Sequence, residues 1–157
     1  QVVPRAGRRN SGPDRGAERG ITVYTILLVD DDPGVRKSVG DMLERSGYGV
    51  LRAEDGSSAY ATLHGPGTID LVIAGHRMPG LDGLALVRRI RETAPCLPVV
   101  IMTAHGDLQT YLCAIGLGVV RYIRIPVGLR ELQQTVRDAA SGGLCEKTPR
   151  TEQAGRQ

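Results

Sequence analysis

Four short apolar runs, TILLV, IDLVIA, LPVVIM and VVRYIRI, are the feature that most restricts what this chain can become. Each is rich in β-branched side chains and nearly continuous in its hydrophobicity, the pattern of strands covered on both faces. GVLRA reads as a fifth, weaker strand. Between the runs the period changes to that of a helix. Val35, Val39, Met42 and Leu43 follow the first run, with Asp32 as N-cap, Pro33 at the first helical position and Gly47 as stop. Leu86, Val87 and Ile90 form an inward-facing group. Leu108, Tyr111, Leu112 and Ile115 form one apolar stripe, and Leu129, Leu132, Val136 and Ala139 another, both expected to pack on the sheet. Strand and helix alternating five times predicts an α/β fold, a doubly wound five-stranded parallel sheet with five helices. Its ligand site would lie beyond the carboxyl ends of the strands.

The 157 residues suit one domain with tails. Residues 1–21, rich in Arg, Gly and Pro with few large apolar side chains, read as a disordered tail. So do residues 141–157, which leaves 22–140 as the folded unit. The first 20 residues carry five arginines against Asp14 and Glu18, whereas residues 21–140 carry 12 basic and 13 acidic side chains. The net charge of +3 therefore describes a tail and not a face of the domain. Without aromatic side chains among those arginines, nucleic-acid contact is the weaker reading of the tail. No apolar run is long enough to span a membrane, and no export signal opens the chain. Cys96, Cys113 and Cys145 are far apart and outside any C-x-x-C pair, which argues against a disulfide framework or a zinc site and for a cytoplasmic location. The absent initiator Met points to a processed or partial chain.

The residues at the strand ends carry more specific information. LLVDDDPG places Asp30 and Asp31 after the first strand. IDLVIAGHRMPGLDG brings Gly75 to the end of the third, followed by Met78, Pro79, Asp82 and Gly83. VVIMTAHG ends the fourth with Thr103, and YIRIP holds Tyr122, Ile125 and Pro126. Over roughly residues 24–140 these four motifs resemble the receiver domain of response regulators, the signalling modules of two-component systems. The resemblance implies a flavodoxin-like fold with strand order 2-1-3-4-5.

It also implies a reaction, in which a carboxylate at the end of the third strand accepts a phosphoryl group while magnesium and a lysine neutralise the developing charge. This sequence has Gly75 where the family has that aspartate and Ile125 where it has that lysine. Catalytic residues are accordingly expected to be none. Asp30, Asp31 and the backbone carbonyl of Arg77 are left as a weak magnesium site, with no cofactor required. Asp32 reads as a helix cap, and His76 as a surface histidine. Thr103 and Tyr122 occupy the family's switch positions, although a strand-end hydroxyl and a half-buried aromatic would fit equally. Met78 to Gly83 reads as a structural turn.

The expected function is a single-domain, receiver-like, bacterial signalling module that is not an enzyme and acts by protein contact without phosphorylation. Its partner would be a sensor kinase, a phosphotransferase or another signalling protein, or a second copy bound through helix 4, strand 5 and helix 5. Tyr111, Tyr122, Arg121 and Arg124 are the expected interaction face. The competing readings are a phosphorelay receiver with Asp30, Asp31 or His76 as unusual acceptor, nucleic-acid contact through the tail, and a copy that has lost its partner.

Overall fold

The computed structural model describes residues 23–142. The tail readings for 1–21 and 143–157 lie outside the described residues, and Ser141 belongs to the last helix. The elements alternate without exception: β1 (Thr25–Val29), α1 (Pro33–Arg45), β2 (Gly49–Ala53), α2 (Gly56–Leu63), β3 (Leu71–Gly75), α3 (Gly83–Thr93), β4 (Val99–Thr103), α4 (Leu108–Gly116), β5 (Arg121–Arg124) and α5 (Leu129–Ser141). All pairings are parallel, in the order β2-β1-β3-β4-β5. The direction of winding reverses between β1 and β3, which opens the crevice at their carboxyl ends.

Alternation along each strand divides the core into two layers. Leu27, Val29, Val72, Ala74, Val99 and Ile101 pack with Leu86, Val87 and Ile90 of α3. Ile26, Leu28, Leu71, Ile73, Val100 and Met102 pack with Val39 and Leu43 of α1 and Leu132, Val136 and Ala139 of α5. The strands read as continuous apolar runs because both sets are needed. GVLRA was the weaker signal because β2 is an edge, where Leu51 remains 43% exposed.

The helix ends form as their sequences dictate. The Asp32 carboxylate accepts from the Gly34 and Val35 amides, Pro33 opens α1, and Gly47 takes a positive φ of 96° just past its end. Asp82 caps α3 by accepting from the Ala85 amide at 3.0 Å.

Two expectations need correction. The α4 stripe does not pack on the sheet. Leu108, Tyr111, Leu112 and Ile115 are 71%, 44%, 56% and 43% exposed, and Ala114 is the helix's one buried residue. Helical spacing marks a face without saying which way it turns. In α5 the stripe is buried from Leu132 onward, while Leu129 in the first turn is exposed. The second correction concerns the thiols, since Cys113 is free and exposed but Cys96 is disulfide-bonded.

Candidate functional site

Beyond the carboxyl ends of β1, β3 and β4 lies a cleft of about 180 Å³, lined by Asp30, Asp31, Asp32, Gly75, His76, Arg77, Thr103, His105 and Ile125 among others. The strand-end residues picked from the sequence therefore meet in one place. Asp30 is its best-defined member. It is 6% exposed, and its Oδ1 accepts from the Asp32 amide at 2.9 Å. Burial raises its pKa, the hydrogen bond opposes that, and the neighbouring Asp31 and Asp32 raise it further. Asp31 is exposed at the rim.

Gly75 shapes what Asp30 can do. A Cβ at position 75 would lie 2.6 Å from Asp30 Oδ2 and 3.2 Å from its Cγ. The Asp30 carboxylate thus occupies the space that a side chain on Gly75 would need. Among the described residues no lysine or arginine forms an ion pair with it: the nearby Arg36 donates from Nη1 to the Asp30 main-chain oxygen at 2.7 Å. Ile125 lines the cleft as a neutral wall, and the Ile125–Pro126 bond is cis.

One oxygen of Asp30 is spent on the Asp32 amide, and the Asp32 carboxylate is spent on the cap of α1. Among the described residues no group of three or more His, Cys, Asp or Glu side chains is arranged to hold a metal ion.

Thr103 is buried at the end of β4, and its Oγ1 accepts from the His105 amide at 3.2 Å, so the hydroxyl satisfies local backbone. His76 departs from its expected surface position. It is half-buried, it lines the cleft, and its Nδ1 is buried with no hydrogen-bond partner. The alternation of β3 ends at Gly75, and the turn that follows carries His76 back over the cleft.

On the far side of β4, Tyr122 turns its ring over Gly106. A Cβ at Gly106 would meet Tyr122 Cε2 at 3.0 Å and Thr103 Cγ2 at 3.3 Å, so glycine makes room for the ring. Tyr111 packs edge-on against it with centroids 5.6 Å apart. The Tyr122 hydroxyl is buried without a hydrogen bond; the Asp107 amide approaches it but falls short of bonding geometry. Burial, and then Asp107, push its pKa up. Of the two arginines expected to extend this face, Arg124 is exposed, whereas Arg121 is tied to Asp138 of α5 by an ion pair. That pair spans 17 positions and could not be read from local spacing.

Comparison with known proteins agrees with this geometry. Residues 26–137 match the response regulator receiver domain. The chain belongs to the response regulator receiver family. It is 37% identical over 132 residues to the transcriptional regulatory protein GlrR of Escherichia coli, covering 84% of this chain and 29% of that protein. It is 36% identical over 115 residues to the C4-dicarboxylate transport transcriptional regulatory protein DctD of Rhizobium meliloti, covering 73% of this chain and 25% of that one. The chain thus spans less than a third of the length of either relative. Among solved structures, a receiver domain protein from Clostridium thermocellum superposes with a TM-score of 0.71 at 30% identity, over 75% of this chain and 94% of that one. NtrX of Brucella abortus gives 0.74 at 30% identity, over 87% and 30%. A receiver is a signalling module that works through signalling partners such as kinases. No helix among the described residues is long and apolar enough to cross a membrane.

Proposed function

We propose that this receiver is a degenerate one, a pseudo-receiver that passes its signal by protein contact and not by an aspartyl phosphate. The observation that carries the reading is the occupied seat beside Gly75. The Asp30 carboxylate fills it, Ile125 lines the same cleft where the family's lysine would be, and among the described residues no lysine or arginine forms an ion pair with Asp30 or Asp31. The exposed stripe of α4 supplies the contact surface. Leu108, Leu112 and Ile115 continue from Tyr111, which touches Tyr122, and Arg124 borders them. The partner is a signalling protein or a second copy seated on α4 and β5, the chain is not an enzyme, and no metal is required for the contact.

The test has two arms. Incubation with acetyl phosphate and magnesium should leave the intact mass unchanged, and a gain of one phosphate would reverse the proposal. Self-association measured by sedimentation, or partner binding in a two-hybrid screen, should be lost in Leu112→Ser and Tyr111→Ser and kept in Leu51→Ser on the opposite edge. A second reading rests on the unpartnered Nδ1 of His76 in the cleft, which could accept the phosphoryl group in place of an aspartate. An acid-labile phosphate that disappears in His76→Ala would select it.

A further inference from the structure

The disulfide at Cys96 stands apart from both the cleft and the α4 stripe. Cys96 is exposed in the loop between α3 and β4 and is disulfide-bonded, whereas Cys113 on α4 is a free thiol. The chain has three cysteines, so within it Cys145, outside the described residues, is left to pair with Cys96. Topology permits that pairing. Each crossover returns the chain to the amino ends of the strands, where α5 closes at Ser141 and the loop after α3 leads into β4. Cys145 follows Gly142 by three positions, a span of at most about 10 Å. The link would enclose residues 97–144, and with them β4, α4, β5 and α5.

Arg91 connects the Cys96 loop to α4. Its Nη1 donates to the main-chain oxygens of Leu97 at 2.8 Å and Pro95 at 3.4 Å, on either side of Cys96. Its Nε donates to the Leu117 oxygen at 2.9 Å and its Nη2 to the Gly118 oxygen at 3.1 Å, in the turn that ends α4. One rigid, planar guanidinium thus grips both segments. Pro95 and Pro98 flank Cys96 and Leu97 and restrict the backbone, so a displacement at Cys96 passes to the carbonyls that Arg91 holds. The same turn anchors α4: the Leu117 amide donates to the Cys113 and Ala114 oxygens and the Val119 amide to that of Ala114, the helix's one buried residue.

We propose that Cys96 and Cys145 form a reversible disulfide that sets, through Arg91, how firmly the end of α4 is held. In oxidation the Cys96 thiolate attacks a small-molecule disulfide such as glutathione disulfide and releases one glutathione thiolate. The Cys145 thiolate then displaces the second. The two cysteines lose two electrons and two protons, and the glutathione disulfide becomes two thiols. Excess thiol reverses both exchanges. The oxidised form fixes the loop, the clamp and the last turn of α4, and the reduced form lets that turn fray. The consequence for signalling rests on the reading of α4 as the contact face; the device does not.

The experiment uses the full chain, equilibrated with glutathione disulfide or with dithiothreitol and read without a partner. After oxidation N-ethylmaleimide should add once per chain, at Cys113, and after reduction three times. Cleavage of the oxidised chain at lysine, arginine and the amino side of aspartate should leave fragment 92–106 joined to 138–147. Amide hydrogen exchange at Leu117, Gly118 and Val119 should speed up about tenfold on reduction, with that of Ile26 and Leu28 in β1 unchanged. Cys145→Ser should exchange like the reduced chain under either condition, while Cys113→Ser keeps the full response. Arg91→Lys should form the disulfide but lose the change in exchange. A disulfide to Cys113, one joining two chains, or exchange at the α4 end that ignores redox state would overturn the proposal. Association through α4 should weaken about fivefold on reduction. Exchange that responds while association does not would support the device and count against the α4 contact.

Discussion

The two ends of the sheet treat their polar groups in opposite ways. At the amino end, Asp70 at the entry to β3 accepts from the Thr25 amide at 2.8 Å, and Tyr24, whose hydroxyl donates to the Asp70 main-chain oxygen, packs edge-on against Tyr48. Each group is engaged, and the arrangement ties β1 to the start of β3. Burial, followed by the charge of Asp70 and the neighbouring Tyr48, pushes the Tyr24 hydroxyl up to about 12. At the carboxyl end Asp30 also accepts a backbone amide, but it crowds Asp31 and Asp32, and the buried His76 Nδ1 and Tyr122 hydroxyl have no hydrogen-bond partner. Unsatisfied buried polar atoms cost stability, so their concentration at one end marks where the chain holds interactions in reserve.

The largest expected effect tests how tightly that end is built. A Cβ on Gly83 would lie 2.3 Å from the Gly75 main-chain oxygen, which cannot yield as a side chain can, whereas a Cβ on Gly49 at the amino end would meet Val23 Cγ1 at 3.1 Å and Thr25 Oγ1 at 3.5 Å, with the Tyr24 main-chain oxygen at an ordinary 3.9 Å. Gly83→Ala should cost about 2–3 kcal/mol in urea unfolding, and Gly49→Ala less than about 1 kcal/mol. Similar losses would remove the contrast in packing.

Next in size is the attempt to restore an acceptor. Gly75→Asp places a second carboxylate against Asp30 with no cation between them, and should cost about 2 kcal/mol at neutral pH. Adding Asp30→Asn should recover at least half, because the collision and repulsion lie between those two side chains. Additive costs in the urea cycle would mean that Asp30 does not occupy the seat.

A smaller effect separates the two buried carboxylates by cause. Burial raises the pKa of both, but Asp30 is also raised by Asp31 and Asp32, while no charged neighbour contributes at Asp70. A folded pKa raised above the unfolded one gives stability that is fully present below the unfolded value and lost as pH rises through the folded value. Both groups therefore favour the fold in acid, and Asp30→Asn should stabilise it at neutral pH by about 1 kcal/mol. Added salt screens the acidic neighbours, so it should lower the Asp30 midpoint and leave that of Asp70 in place, as followed by carboxyl NMR. Equal movement of the two would erase the distinction.

Much of this was readable in the chain because it depends on local chemistry. Both-face burial writes itself as uninterrupted apolar strands, Asp32 and Asp82 announce their caps, and parallel winding carries Asp30, Gly75, Thr103 and Ile125 to one edge. The features that escaped depend on direction and distance. The period that correctly placed Leu132 and Val136 inward also describes Leu108 and Leu112, which face outward, because period does not identify the covered side. His76 enters the cleft through the turn after β3, where strand alternation has ended. The pairing of Arg121 with Asp138 and the swing of Asp30 toward Gly75 are tertiary contacts and rotamer choices with no local signature.

The gentlest test of unspent polarity is to delete one such group without changing shape. Tyr122→Phe removes a hydroxyl that is buried and unbonded while keeping the ring against Tyr111 and over Gly106. A buried donor with a partner loses stability on such a change; one without a partner is relieved of its desolvation cost. Tyr122→Phe should therefore gain up to about 1 kcal/mol, read as a higher urea midpoint at unchanged slope. Tyr24→Phe at the amino end, where the hydroxyl donates at a long 3.5 Å, should be neutral or slightly destabilising. A loss in Tyr122→Phe as large as that in Tyr24→Phe would mean that the carboxyl-end hydroxyl has a partner after all, and that the two ends differ less in satisfaction than in composition.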